Sequence, residues 1–209
     1  MCELINFTHL NDCEAMMVWQ WRNDERVAKY MKTKFISFKN HLNFIKNLKN
    51  DTSKRYFLLK SGGIYIGVVD FIGIRNDICE FGIYANPNIF SVGKILMHTV
   101  LAYAFKILNV KIIKAYAYNE NQKAIALYKL FKFEITEYDS EITRLELRRE
   151  AVQILMKNYK FLNNDENKQI LEIRNLEYIR KMSLNDKVID FNNHIKWIKD
   201  GMGGQITLT

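Results

Sequence analysis

Proline is all but missing from this sequence. Pro87 is the single one in 209 residues, so segment boundaries must be read from other signals than Pro-rich linkers. Cysteine is scarce too: Cys2, Cys13 and Cys79 are odd in number and share no C-x-x-C spacing. That excludes a disulfide framework and a zinc ribbon. The four histidines, His9, His41, His98 and His194, fall in no H-E-x-x-H or other metal spacing, so no metal is expected. No apolar run approaches the roughly 18 residues of a membrane helix, and the opening MCELINFTHLNDCE lacks a basic stretch ahead of an apolar one, so no signal peptide is expected. The expectation is a soluble, reduced, cytoplasmic protein that does not bind membrane.

What is present is enough to build a core. Apolar residues make up 48% and aromatics 13%, which argues against overall disorder. Lys and Arg number 31 against 23 Asp and Glu, a net charge of +8. This favours acidic partners weakly, since part of the excess belongs to a chain crowded with Lys, Asn and Ile. The basic residues are dispersed, with no aromatic-interleaved patch, so nucleic acid is not an expected partner.

The chain repeats itself. Residues 4–23 (LINFTHLNDCEAMMVWQWRN) align with 156–175 (MKNYKFLNNDENKQILEIRN), with Asn6 over Asn158, Leu10 over Leu162, Glu14 over Glu166 and Arg22-Asn23 over Arg174-Asn175. After a small loop difference, 35–47 (FISFKNHLNFIKN) aligns with 188–200 (VIDFNNHIKWIKD), His41 over His194. Two parts are expected: a domain over 1–149, and over 150–209 a truncated copy of its first half. Met156 stands where an independent copy would begin, which points to a fusion followed by truncation. The copy is expected to lack the later strands and loops of the first part, and to dock on it, mediate dimerisation or persist as a vestige. Gly201, Gly203 and Gly204 sit outside any strand–helix context and are not expected to bind phosphate.

Periodicity predicts a strand over Leu4–Phe7, a helix over 13–22 behind Asn11-Asp12, and a helix over 38–49 capped by Ser37. Strands follow over Tyr56–Leu59 and Ile64–Ile72, joined at Gly62-Gly63, and over Ile78–Tyr84. A helix from Gly93 to Leu108, a strand over Lys111–Tyr118, a helix over Lys123–Phe131 and strands over Phe133–Ile135 and Thr143–Leu147 complete the order. This is an α/β or α+β layer with a mixed sheet.

The junction Tyr84-Ala-Asn-Pro-Asn88-Ile-Phe-Ser91-Val92-Gly93-Lys94 ends a strand and opens a helix. Unpaired N–H groups at a helix start can cradle a diphosphate; an ordinary strand–turn–helix fits the same residues. Together with Asn121-x-x-Ala124-x-x-x-Tyr128, this arrangement resembles the GNAT acetyltransferases. Their fold is a mostly antiparallel mixed sheet flanked by helices, with acetyl-CoA as donor. In them the loop holds the coenzyme pyrophosphate and the asparagine–alanine–tyrosine helix lies beside the pantetheine and thioester sulfur. The family's loop pattern is Gln/Arg-x-x-Gly-x-Gly/Ala; Asn88, Ser91 and Gly93 take its marked places here, and the first two depart from it. The resemblance implies acetyl-CoA contacts at Ile83, Tyr84, Asn88, Ser91, Val92, Gly93, Lys94, Asn121, Ala124 and Tyr128.

Within that family, Trp21-Arg22-Asn23, Tyr30-Met31, Phe35-Ile36 with His41 and Phe44-Ile45, Gly67–Phe71 and Cys79–Tyr84 are similar to one bacterial branch. It acetylates UDP-4-amino-4,6-dideoxy-N-acetyl-β-L-altrosamine in pseudaminic acid synthesis for flagellin glycosylation. The resemblance implies a nucleotide-sugar pocket at Arg22, His41 and Tyr84, with Met31 and Phe44 in its wall. It also implies direct attack of the sugar amine on the thioester, Tyr128 as acid to the sulfur, and an oxyanion held by a backbone N–H near Ile83–Tyr84. For the base, Glu80 shares a strand face with Gly82 and Tyr84; it takes the proton directly or through water, or only orients water with Asn119 assisting. Two other functions stay open: acetylation of a protein N-terminus in the manner of ribosomal-protein acetyltransferases, and a catalytically silent coenzyme-binding module.

Overall fold

A computed structural model of the protein describes residues 2–151, 163–175 and 187–199. The chain divides into two compact units, residues 1–151 and 152–208. In the first, β1 (Cys2–Asn6) ends sooner than its apolar run because the Asn6 side chain accepts from the N–H and hydroxyl of Thr8, both at 2.9 Å. The chain turns there into a short 3-10 turn over Phe7–His9. Helix α1 (Asp12–Asn23) starts at a capping box: Asn11 Oδ1 accepts the Glu14 N–H at 2.9 Å, and the Glu14 carboxylate accepts the Asn11 N–H at 3.0 Å. A one-turn helix, α2 (Glu25–Ala28), too short to leave a periodic pattern, follows on Asp24. Helix α3 (Phe38–Leu48) begins on Ser37 as expected.

Among the described residues, seven strands form one sheet in the order β1-β2-β3-β4-β5-β7-β6. Strands β2 (Arg55–Ser61) and β3 (Ile64–Arg75) turn at Gly62 and Gly63, whose φ of +57° and +83° suit a two-residue hairpin. After β4 (Ile78–Ala85) the chain crosses over through α4 (Gly93–Ala102) to β5 (Ile112–Tyr118), making the β4–β5 pair parallel while every other pair is antiparallel. The expected single helix from 93 to 108 is instead α4 followed by a π turn over Tyr103–Ile107, closed by Leu108 N–H to Tyr103 O at 2.9 Å. There the Tyr103 ring stacks on Phe71 and tilts onto Phe57. Helix α5 (Gln122–Leu130) leads to β6 (Glu134–Tyr138) and β7 (Ile142–Arg148). Buried Phe133 precedes β6 and packs on Phe81 and Tyr128.

Strand alternation sorts the core onto two faces. Phe57, Leu59, Val69, Phe71, Cys79, Phe81, Ile113, Leu145 and Leu147 point to the side of α4 and α5, where Leu96, Met97, Val100 and Ile125 are also buried. On the other side Leu58 and Val68 join Phe7, Val18, Trp21 and Leu48 beneath α1 and α3. That second cluster covers β1 to β3 and stops. From β4 onward the same face carries polar side chains.

In the second unit, α6 (Asn164–Asn175) and α7 (Phe191–Lys199) are described. Asn23 grips Ile36 with two hydrogen bonds, Nδ2 to Ile36 O at 2.9 Å and Ile36 N–H to Oδ1 at 2.8 Å. Asn175 grips Ile189 in the same way, at 2.7 and 2.9 Å. His41 and His194 are both buried one turn into their helices, each with its N–H on the capping residue's carbonyl at 3.0 Å. Met156, the Arg174 side chain and the 201–204 glycines lie outside the described residues.

Candidate active site

The polar face owes its accessibility to a short ladder. β4 and β5 pair only at Ile78↔Ile112, Cys79↔Ile113 and Glu80↔Lys114. Beyond Glu80, β4 stays on β3 as far as Gly67↔Ala85, while β5 stays on β7 as far as Tyr118↔Ile142. Each strand keeps its outer neighbour and leaves the other, so a V opens between them. Along its β4 lip, backbone groups from Phe81 onward are free of a β5 partner, and backbone groups so placed seek one. An extended, amide-bearing chain can supply it, as an added strand does at a sheet edge.

At the mouth of the V, the loop after β4 is pinned. Asn86 donates its N–H to Ile66 O at 2.9 Å and its amide to Tyr65 O at 3.0 Å, and its Oδ1 accepts the Asn88 N–H at 3.0 Å. Ser91 holds φ at +63°, the left-handed conformation for which glycine is best suited. Serine thus keeps the turn at a cost of about 1–2 kcal/mol. Val92 heads α4 without a side-chain cap, and the first bond within the helix is Leu96 N–H to Val92 O at 3.1 Å. The N–H groups of Gly93, Lys94 and Ile95 therefore point out at the positive end of the helix, an anion seat. A Cβ at Gly93 would come within 3.1 Å of a Leu127 methyl on α5, so the approach of the two helices is close there. Lys94 is exposed beside the seat. Asn88 is exposed and accepts from Arg26 Nη2 at 3.2 Å.

By register, Tyr56, Asp70, Glu80, Gly82, Tyr84, Lys114, Tyr116 and Tyr118 share the open face. Tyr128 approaches from the opposite side. It is 5% exposed on α5, packed edge-on against Phe81 at 5.3 Å. Its phenol lies within electrostatic reach of Asp70 and Tyr116 on the open face. Burial pushes that phenol above its ordinary range, so it holds its proton at neutral pH. Asn121 caps α5 by accepting the Ala124 N–H at 3.2 Å. Cys79 faces the helices, buried, its thiol pushed up to about 12, and is no nucleophile at neutral pH.

Arg22, in the last turn of α1, lies within electrostatic reach of Tyr84, Tyr56 and Tyr116. Its Nη2 donates to Thr33 O at 2.8 Å, whereas Nη1 is buried without a described partner. Segment 24–37 runs over the mouth of the V, tied to both lips. Arg26 Nη1 donates to Pro87 O at 2.8 Å on the β4 side, and the Lys34 ammonium lies 5.3 Å from the Tyr118 ring on the β5 side. Met31 is half-buried in this segment, and Phe44 lies edge-on to Tyr56 at 4.9 Å.

Two of the expected residues are engaged in the fold, and one residue of the open face was not expected. Asn119 has each end of its amide engaged, Nδ2 donating to Asp139 O at 2.9 Å and Oδ1 accepting from the Thr143 hydroxyl at 2.8 Å, so it braces the β6–β7 turn. His41 is 5% exposed between Phe7 and Phe38 and bonded to the Ala15 backbone, with burial holding its ring below the usual range. Its Nε2 is buried without a described partner. Asp70 was not among the expected site residues. Its one sequence signal is a carboxylate breaking the apolar run Gly67-Val68-Val69-Asp70-Phe71. A cavity of about 350 Å³ elsewhere, lined by Lys49, Lys54 and Arg55 among others, shares Tyr56 with the open face but none of the coenzyme residues. Among the described residues no group of acids, histidines or cysteines can hold a metal, and no helix is long and apolar enough to cross a membrane.

Comparison with known proteins agrees with this geometry. The acetyltransferase (GNAT) domain model matches residues 3–134. An acetyltransferase PseH of Campylobacter jejuni subsp. jejuni is 42% identical over 155 residues, covering 74% of this chain and 99% of the relative. The crystal structure of Campylobacter jejuni N-acetyltransferase PseH in complex with acetyl coenzyme A superposes with a TM-score of 0.63 at 38% identity, covering 71% of this chain and 99% of that one. Spermidine N-acetyltransferase from Vibrio cholerae, at 21% identity, has the same fold with a TM-score of 0.63 over 71% of this chain and 96% of its own.

Proposed function

The chain belongs to the GNAT acetyltransferase family and is an acetyl-CoA-dependent N-acetyltransferase, and from that premise we propose that it acetylates the 4-amino group of a UDP-linked 4-amino-4,6-dideoxy sugar. The observation that carries this reading is Arg22, a guanidinium with one buried, unpartnered nitrogen among three tyrosines at the open end of the strand gap. A planar fork so placed suits a diphosphate, and the tyrosine faces suit a base and a sugar ring. The coenzyme enters from the other end. Its pyrophosphate takes the N–H groups of Gly93, Lys94 and Ile95, and its pantetheine amides take the free edge of β4.

The sugar amine then attacks the thioester directly. A free N–H of β4 near Ile83–Tyr84 steadies the oxyanion, the kind of aimed donor that is worth most where water is excluded. Tyr128 gives its proton to the departing sulfur. Such chemistry, drawing on acetyl-CoA, belongs in the cytoplasm. The test is to mix enzyme and acetyl-CoA with a UDP-4-amino-4,6-dideoxy sugar, with N-terminal peptides and with polyamines. The sugar should gain the mass of one acetyl group and the others stay unchanged; acetylated peptide with untouched sugar would overturn the reading.

Residues 150–209 are read as a partial repeat of the substrate-side half, supported by the matching Asn23 and Asn175 grips. On this reading a chain ending after Ala151 keeps the parent's kcat within a few-fold. Loss of turnover in that shortened chain, with its Tm preserved, would assign the repeat a part in the reaction.

A further inference from the structure

Val68, Val69 and Phe71 of β3 are fully buried, and Asp70 interrupts them on the cleft face. Across the ladder it meets Gly82. A Cβ at residue 82 would lie 2.6 Å from Asp70 Oδ2 and 3.0 Å from Oδ1. The carboxyl therefore leans over the β4 backbone into space that any other residue at 82 would fill. Residue 82 is two past Glu80, the last to pair with β5, so the carboxyl stands where the strands begin to part. It is faced by Tyr56 from β2, Glu80 and Tyr84 from β4, Tyr116 from β5 and Tyr128 from α5, with Arg22 of α1 beyond the tyrosines. No described group hydrogen-bonds it.

We propose that the Asp70 carboxylate accepts the proton of the attacking amine. The proposal rests on acetyl transfer to an amine, whichever amine that is. The amine lone pair forms the C–N bond at the thioester carbonyl carbon, and the N–H proton passes to Asp70. Collapse of the tetrahedral adduct breaks the C–S bond, and the sulfur takes its proton from Tyr128. Solvent then relieves Asp70 and restores Tyr128. Glu80 is the poorer candidate by position: it sits where the ladder is still closed, its carboxyl raised by burial against the opposing pull of Arg144 and Lys114.

Burial, with Glu80 nearby, lifts Asp70 from 3.8 to about 7, where a base is strong enough to act and charged often enough to be available at neutral pH. The sign for stability follows from linkage. The folded protein holds this proton more tightly than the unfolded chain, so ionising Asp70 weakens the fold as pH rises from 3.8 towards about 7. An amide at this position removes that penalty.

The experiment compares Asp70→Asn, Asp70→Ala, Gly82→Ala and Glu80→Gln with the parent, on the sugar nucleotide and on peptide amines. If the parent acetylates only peptides, the sugar reading falls and the comparison is made on those. Asp70→Asn should lower kcat about a hundredfold, leave KM for acetyl-CoA unchanged, and erase the acid limb centred near pH 7. Its Tm above pH 7 should equal or exceed the parent's. Formate should restore part of the rate to Asp70→Ala. Gly82→Ala, which removes no titratable group, should lose rate by displacing the carboxyl, while Glu80→Gln should keep the acid limb and move it to lower pH, because the neighbouring charge that raises Asp70 is gone. An Asp70→Asn enzyme with the parent's kcat, one that keeps the acid limb, or one slowed together with a lowered Tm and no formate rescue would overturn the proposal.

Discussion

Replacing Tyr128 with phenylalanine is expected to lower kcat by a factor between about 10² and 10⁴, the usual worth of a positioned acid. The ring's task is packing: it lies 5.3 Å from Phe81 and 5.9 Å from Phe133 and is 5% exposed. Phenylalanine keeps all of that. What it loses is one hydroxyl, whose proton is held firmly by burial within electrostatic reach of Asp70 and Tyr116. The expected pattern is a fall in kcat with unchanged KM for acetyl-CoA and a Tm within a few degrees of the parent's. Equal turnover in the variant would mean that the sulfur leaves as thiolate or takes its proton from water.

The second large effect concerns Arg22. In the free enzyme Nη2 is held by Thr33 O, Nη1 is buried without a described partner, and burial lowers the guanidinium below its ordinary range. An orphaned buried donor costs stability until something accepts from it. A diphosphate oxygen would be that acceptor, and a charge-assisted bond is worth about 1.5–3 kcal/mol, or roughly 10- to 150-fold in affinity. Arg22→Met retains the apolar stem and loses the fork. It should raise KM for the sugar nucleotide by that factor, leave KM for acetyl-CoA alone, and shift Tm little, because the lost Thr33 bond is offset by the relieved orphan. A collapsed Tm would make Arg22 a structural brace for segment 24–37, and an unchanged KM would remove it from the pocket.

The fold was legible in the sequence because most of its elements are long enough to show a period. Alternation marked β2 to β5, and Asn11 and Ser37 marked the starts of α1 and α3. Helix α2 spans one turn and left no pattern. The π turn at Tyr103 serves the Phe71 and Phe57 rings, which lie far away in the chain. The site was legible where a local rule applies, as at the exposed N–H groups of Gly93 and Lys94 or the spacing from Asn121 to Tyr128. It was illegible where long-range pairing decides. Asn119 sits at a strand end like a site residue, but its amide is taken by Asp139 and Thr143 from a turn some twenty residues on. His41 reads the same from sequence whether it faces a pocket or a core. The end of the β4–β5 ladder at Glu80 is written in no single residue, and Asp70 acquires its meaning only from Gly82 across the sheet.

Everything proposed for this enzyme depends on the gap that opens past Glu80. The most direct measurement is a crystal structure of the enzyme with acetyl-CoA. The pantetheine should thread between β4 and β5, its amides on the free edge of Phe81–Ala85, its pyrophosphate on Gly93–Ile95 and its sulfur within hydrogen-bonding reach of the Tyr128 hydroxyl. A coenzyme bound elsewhere, or strands zipped together beyond Glu80, would contradict the account.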